Sequence, residues 1–414
     1  VNRKLSIWHI NLICIVMLFG AWVLIHQMGN LTMWIDEAWS LEFASPDTIS
    51  GVIEKATSED VHPPLPYIVY QVFHPIFGEH PFGLRVVGWF VTILSAAIVI
   101  RLGYELGSWR MGIMAGALLM TYPLVIGHTF LIRHYNLLMF FAVLSSWAYW
   151  RYSRKWAWRW GVLYWISGVM MLYTMYWGAF VLLAHGIHTL IYRRRGLIWM
   201  IVSAGAMGIL FLPWLPSFMT QISSSVLGES GYHSALPLNE EGFGIIRYNL
   251  FGKSELLIMI LAIAGIIGTF TPKRARDVLP NDQTAFLGLI FLIPIIAPML
   301  SDALFNFGLL AHRPLMVSVP AIVLLIGYVL SSMKFWQYSL LTIALILNHL
   351  MPTIIPATPE RGPWWEITSF LDQHVSPSDT MFYASADDLF FFTLEQHGFL
   401  ADLPYRGFEY YPFD

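Results

Sequence analysis

Runs of apolar residues long enough to cross a bilayer recur along this chain from Leu5 to Leu350, and no other feature limits its fold so tightly. A helix rising 1.5 Å per residue needs about 20 residues to cross roughly 30 Å of hydrocarbon. Candidate spans lie near 5–28, 83–100, 111–127, 134–150, 160–176, 178–192, 197–215, 256–270, 284–300, 314–330 and 338–355. The shorter ones borrow flanking aromatics. Charged residues make up 12% of the chain, where a soluble protein carries about 25%. The expected fold class is an all-α polytopic membrane protein of about eleven transmembrane helices. No basic face of the kind that binds nucleic acid stands out. The single cysteine, Cys14, excludes an internal disulfide.

Asn2-Arg3-Lys4 before the first apolar run resembles the start of a signal peptide. The run is longer than a signal core and lacks a small-x-small cleavage site, so a retained span is expected. With residues 1–4 cytoplasmic, the inner loops collect 15 of the 23 basic residues, among them Arg151, Arg154, Lys155, Arg159 and Arg193-Arg194-Arg195. Only Glu105, Asp277 and Asp282 of the acids fall on that side. The positive-inside bias therefore predicts a multi-pass protein of the plasma (inner) membrane, with a cytoplasmic N-terminus and an extracytoplasmic C-terminus. The expected organisation is a transmembrane domain over 1–355 and a small mixed α/β tail over 356–414 that packs on the outer loops.

Four outer segments are long enough to carry function. The first, 30–82, is a large loop holding Asp36-Glu37 between Trp34 and Trp39. Ser45-Pro46-Asp47 predicts a helix start with Ser45 as cap, and Ile49, Val52, Ile53 and Ala56 then share one face of a surface helix. In His62-Pro63-Pro64-Leu65-Pro66-Tyr67 the prolines argue for an extended turn. The second segment, 127–135, carries His128, Arg133, His134 and Tyr135. The third, 216–255, is rich in Ser and Gly and predicts a mobile loop, and the fourth, 301–313, ends in His312-Arg313. In the tail, a helix is expected after Pro363 and a strand-helix unit around 380–397.

Paired carboxylates just outside an apolar run suit a catalytic loop at the headgroup layer, and they equally suit the first turn of a helix, whose dipole favours anions. Outer arginines at span ends either snorkel or bind an anionic ligand. Arg133 and Arg313 each stand beside a histidine, and such a pair holds a phosphate through charge-assisted hydrogen bonds. The outer histidines show no metal-ligand spacing, and no acid lies between Glu105 and Glu229. No cofactor is required on this reading; a divalent metal is compatible with it but not expected.

The ordered set Trp34-Ile-Asp36-Glu37-Ala-Trp-Ser40, His62-Pro63-Pro64-Leu-Pro-Tyr67, Phe77-Gly78, Arg85 and Arg133-His134-Tyr135-Asn-Leu137 resembles the GT-C membrane glycosyltransferases. Protein O-mannosyltransferases and lipid A aminoarabinose transferases are the similar groups. His312-Arg313-Pro314 is similar to a later Arg-Tyr segment of that family. The resemblance implies a GT-C fold and hexosyl or pentosyl transfer from a polyprenyl-phosphate sugar to a lipid, glycan or protein acceptor outside the membrane. Asp36 would be the general base and Glu37 would assist or orient the acceptor. His62, Arg133, His134, Tyr135, His312 and Arg313 would hold the carrier phosphate, among surrounding membrane lipids. The rival readings are a transporter or lipid flippase, disfavoured by spans with few ionisable residues, and an inactive GT-C scaffold in envelope assembly.

Overall fold

The computed structural model describes residues 6–26, 28, 34–77, 81–226, 236–252, 281–305, 307–354, 369–370, 373–374, 381–383 and 405–407. Helices occupy ten of the eleven apolar runs: α1 (Ile7–Val23), α5 (Pro81–Leu106), α6 (Trp109–Thr121) with α7 (Pro123–Thr129), α8 (Tyr135–Lys155), α9 (Trp158–Thr174), α10 (Gly178–Tyr192), α11 (Leu197–Phe211), α14 (Asn281–Phe305), α15 (Val319–Ser331) and α16 (Phe335–Ile354). The eleventh run, 256–270, lies outside the described residues. Four stretches are long and apolar enough to cross a membrane: 82–106, 194–221, 282–305 and 313–331. A fifth is α6 with α7, bent by 54° where Tyr122-Pro123 breaks the run that the sequence reads as one span. Pro123 has no N–H for the helix ladder, so it opens a new helix there. The 17 residues of α1 and 15 of α10 are too few by length alone.

Small residues let these helices approach closely, as in membrane bundles generally. A Cβ on Gly112 of α6 would meet the Ile100 carbonyl of α5 at 2.3 Å. The main core gathers α1, α5, α6, α8, α10, α14 and α15 around Leu118, Met139, Phe286 and Val323.

A second core caps one end of the bundle. It joins α2 (Ile35–Ala44), α3 (Ile49–Glu59) and α4 (Leu65–Phe77) to Leu84 and Val87 of α5 and to Ile132 and Leu137 beside α8, with Phe43, Tyr67 and Tyr70 filling its centre. Two details differ from the sequence reading. The cap of α3 is Thr48, whose hydroxyl accepts the Gly51 N–H at 3.1 Å, while Ser45 closes α2. Of the apolar face, Val52 and Ala56 are buried, whereas Ile49 and Ile53 are exposed. The prolines after His62 do not exclude a helix. Pro66 sits in the first turn of α4, where a missing N–H costs nothing.

The third outer segment is largely helical instead of a mobile loop. Ser223 to Ser225 lie in α12 (Leu215–Val226), and α13 (Glu240–Phe251) starts at Asn239, whose side chain accepts the Gly242 N–H at 3.0 Å. Gly228 and Gly231 lie outside the described residues. In the tail, β1 (Met381–Tyr383) and β2 (Tyr405–Gly407) pair in parallel, so a strand does stand near residue 380. The helix expected within 384–397 lies outside the described residues, as does most of the chain after Pro363.

Candidate active site

The Asp36-Glu37 pair opens α2, and its two carboxylates part company at once. Glu37 is the third residue of the helix, and one of its oxygens accepts the Trp34 N–H at 2.9 Å, the reciprocal half of an N-terminal capping arrangement. The same carboxylate takes two hydrogen bonds from Arg85, Nε at 2.8 Å and Nη2 at 2.9 Å, and one from the Ile132 N–H at 3.0 Å. Its side chain is 0% exposed and that of Arg85 is 1% exposed. Arg85 also donates to the Met28 carbonyl at 3.0 Å. Glu37 thus fastens the catalytic-loop helix to α5 and to the 130–134 turn, and it faces no open space.

Asp36, one residue earlier, points out of that seam. Its Oδ2 accepts from Arg313 Nη1 at 2.6 Å, with side chains 29% and 26% exposed. The Arg313 guanidinium also lies over the Trp34 ring, 4.9 Å from its centre. Beneath this pair, Arg133 Nη1 donates to the Asp36 carbonyl at 3.0 Å and to Ser40 Oγ at 3.2 Å. Its Nε is buried without a partner. Burial opposes the Arg133 charge, but Tyr135, Asp36, Tyr67 and Asp60 outweigh that and raise its pKa above the usual arginine value.

The histidines form a stacked row beside these arginines. The His62 ring lies 4.6 Å from that of His134, His134 lies 4.2 Å from Tyr135, and Tyr135 meets His128 edge-on at 4.8 Å. His62 Nδ1 faces Asp60 Oδ1 at 3.1 Å, and Tyr67 donates its hydroxyl to the other Asp60 oxygen. Burial alone would raise the Asp60 pKa; the adjacent His62, with the Tyr67 and Val61 N–H donors, holds it below the ordinary value. His312 is pushed below the ordinary histidine range by burial and by Arg313 next to it. His134 Nε2 and His312 Nδ1 are buried without partners. Among the described residues no three His, Cys, Asp or Glu side chains gather closely enough to hold a metal.

The site residues expected from sequence therefore come together at one end of the bundle, with Glu37 standing behind them. Sequence reasoning passed over four supports. Asp60 stands two residues before His62, and that spacing was its only signal. Arg85, a charge set in an apolar run, signals a buried partner. Asp302 accepts the Leu309 and Leu310 N–H groups, both at 2.7 Å, and so shapes the strand of chain leading to His312. Gln221 of α12 donates to the Ala56 and Asp60 carbonyls at 3.1 and 2.8 Å, a contact with no sequence signature.

No family model and no curated protein matches the sequence. Solved structures do match. ArnT from Cupriavidus metallidurans, a lipid A aminoarabinose transferase, aligns in its apo state over 97% of this chain and 85% of its own, with a TM-score of 0.64 and 13% identity. The same protein bound to undecaprenyl phosphate gives a TM-score of 0.62. The chain has the GT-C fold. The Archaeoglobus fulgidus oligosaccharyltransferase, tethered to an acceptor peptide containing the NVT sequon, aligns over 98% of this chain with a TM-score of 0.57 and 12% identity. This chain spans 61% of that GT-C protein's length. At these identities the likeness is one of fold, and of the membrane setting that the apolar helices share.

Proposed function

We propose that the protein is an integral membrane glycosyltransferase that moves a sugar from a polyprenyl-phosphate carrier to an acceptor on the extracytoplasmic side. The observation that carries this reading is the Asp36–Arg313 pair at the mouth of the site, backed by Arg133. Around it Arg133 Nε, His134 Nε2 and His312 Nδ1 are buried with nothing to bond. Buried polar nitrogens left unpaired are costly, and an anionic group entering here would satisfy them. The fold of ArnT, a protein seen with undecaprenyl phosphate, supports a lipid-borne phosphate as that anion. In this reading the ten described helical runs and residues 256–270 supply eleven spans, and the N-terminus is cytoplasmic.

The geometry suggests an order of events. Arg313 is engaged by Asp36 while the site holds no donor. The carrier phosphate competes for the same guanidinium, and its arrival frees the Asp36 carboxylate to accept a proton. The acceptor hydroxyl or amine then loses that proton to Asp36 and attacks the anomeric carbon. The bond from that carbon to the phosphate oxygen breaks, its electron pair leaves on the phosphate, and Arg313, Arg133 and the histidines stabilise the departing charge. One displacement inverts the anomeric centre. Glu37 acts by position, holding Asp36 against the 130–134 turn.

The test is release of free polyprenyl phosphate by purified protein, offered a panel of polyprenyl-phosphate sugars with envelope extract as acceptor. Wild type should release it and Asp36→Asn should not. No release from any donor would overturn the transferase reading. Release that survives Asp36→Asn would keep the class and remove the base.

A further inference from the structure

The opposite end of the bundle carries a second built site. The 21 residues of α8 run about 30 Å from Tyr135 at the catalytic end to Lys155. There the chain turns through Trp156, which has a left-handed backbone at φ 50°. Its ring is seated against Gly196, where a Cβ would meet Trp156 at 1.5 Å, so the α8–α9 and α10–α11 turns form one surface. Arg154, Lys155, Arg194 and Arg195 are exposed on it and have no carboxylate partner among the described residues. Trp158 and Trp199, also exposed, flank it as an interfacial belt would.

Between the two turns lies a niche. The Trp150 ring is buried, with the guanidinium of Arg154 5.6 Å and that of Arg193 5.8 Å from its centre. Arg193 pairs with Asp282 through Nη2, which leaves its Nε buried and without a partner; the Trp150 indole nitrogen is also buried and unpaired. Two unmet N–H donors beside an exposed arginine call for an anion, and the surrounding cations and tryptophans match a membrane headgroup.

We infer that this end of the bundle binds the phosphate of an anionic phospholipid, seated against Arg154, Arg193 and Trp150 within the field of Lys155, Arg194 and Arg195. The site is independent of the transfer chemistry, because it lies a helix length away from Asp36. Intact protein in detergent, titrated with phosphatidylglycerol or phosphatidylcholine and read by native mass spectrometry, tests it. Wild type should retain phosphatidylglycerol preferentially. The triple variant Arg154→Gln, Arg194→Gln, Arg195→Gln changes only exposed side chains and should lower that retention at least tenfold, with an unchanged melting temperature. Lys334→Gln, an exposed cation on another turn, should leave it unchanged. Equal retention of the two lipids, wild-type retention by the triple variant, an equal loss in Lys334→Gln, or displacement by equimolar inorganic phosphate would each overturn the site.

Discussion

Two ion pairs begin one residue apart and serve different ends. Glu37–Arg85 is sealed in a seam between α2, α5 and the 130–134 turn, with both oxygens engaged and both partners essentially without solvent. Asp36–Arg313 sits at the mouth, joined by one printed hydrogen bond and more than a quarter exposed on each side. Removing one partner of a buried pair strands the other charge, whereas an exposed pair contributes little to stability and is free to exchange partners. The comparison teaches that adjacent carboxylates of like chemistry can divide the work, one holding the loop and the other meeting the substrate.

The most direct way to break the comparison is to neutralise each carboxylate in turn. Asp36→Asn should reduce turnover by roughly 10²–10⁴-fold, the range for losing a general base, while the melting temperature in detergent stays close to wild type. A large fall in melting temperature would mean that Asp36 is structural too. Glu37→Ala should do the reverse in kind, costing about 3–5 kcal/mol of stability by leaving Arg85 buried and unpaired. Urea or thermal unfolding in detergent reads this, and wild-type stability in Glu37→Ala would remove the seam from the account.

Arg313→Gln sharpens the exchange at the mouth. Losing a charged hydrogen bond of about 1.5–3 kcal/mol should weaken binding of undecaprenyl phosphate by roughly ten- to a hundredfold, with folding unchanged. Calorimetric titration that finds equal affinity in variant and wild type would separate Arg313 from the phosphate.

The smallest expected effect is on pH. His312 has a folded pKa below its unfolded one, because of burial and the neighbouring Arg313. The unfolded chain therefore takes up the proton first, and stability falls as pH drops below the ordinary histidine value of about 6.5. Melting should show a smaller drop between pH 7.5 and 5.5 in His312→Gln than in wild type. Asp60 works in a lower window, since its depressed pKa lends stability that is lost only as pH falls through its folded value.

Periodicity and length alone revealed the apolar runs, because a 20-residue hydrophobic stretch has few other places to go. The Asp36-Glu37 pair, the His62 segment and the two His-Arg or Arg-His pairs were legible for a related reason: polar residues at the edges of such runs are few, so each one stands out. Thr48, Pro66 and Pro123 show where local rules competed. Several residues could have capped α3 or stopped α4 and α6, and packing against Tyr67, Tyr70 and the bundle chose among them.

What the sequence by itself determined is that the chain is a bundle of apolar helices, with its chemistry gathered in the segments between them. Only the tertiary structure decided that Glu37 turns inward to Arg85 while Asp36 turns outward to Arg313, 277 positions away. Nor could any local pattern bring Gln221 to Asp60 or Trp156 to Gly196. Spacing along a chain specifies which residues share a helix face. Contacts between distant segments depend on how whole helices pack, and that is settled by the shapes and unmet hydrogen bonds of many residues together.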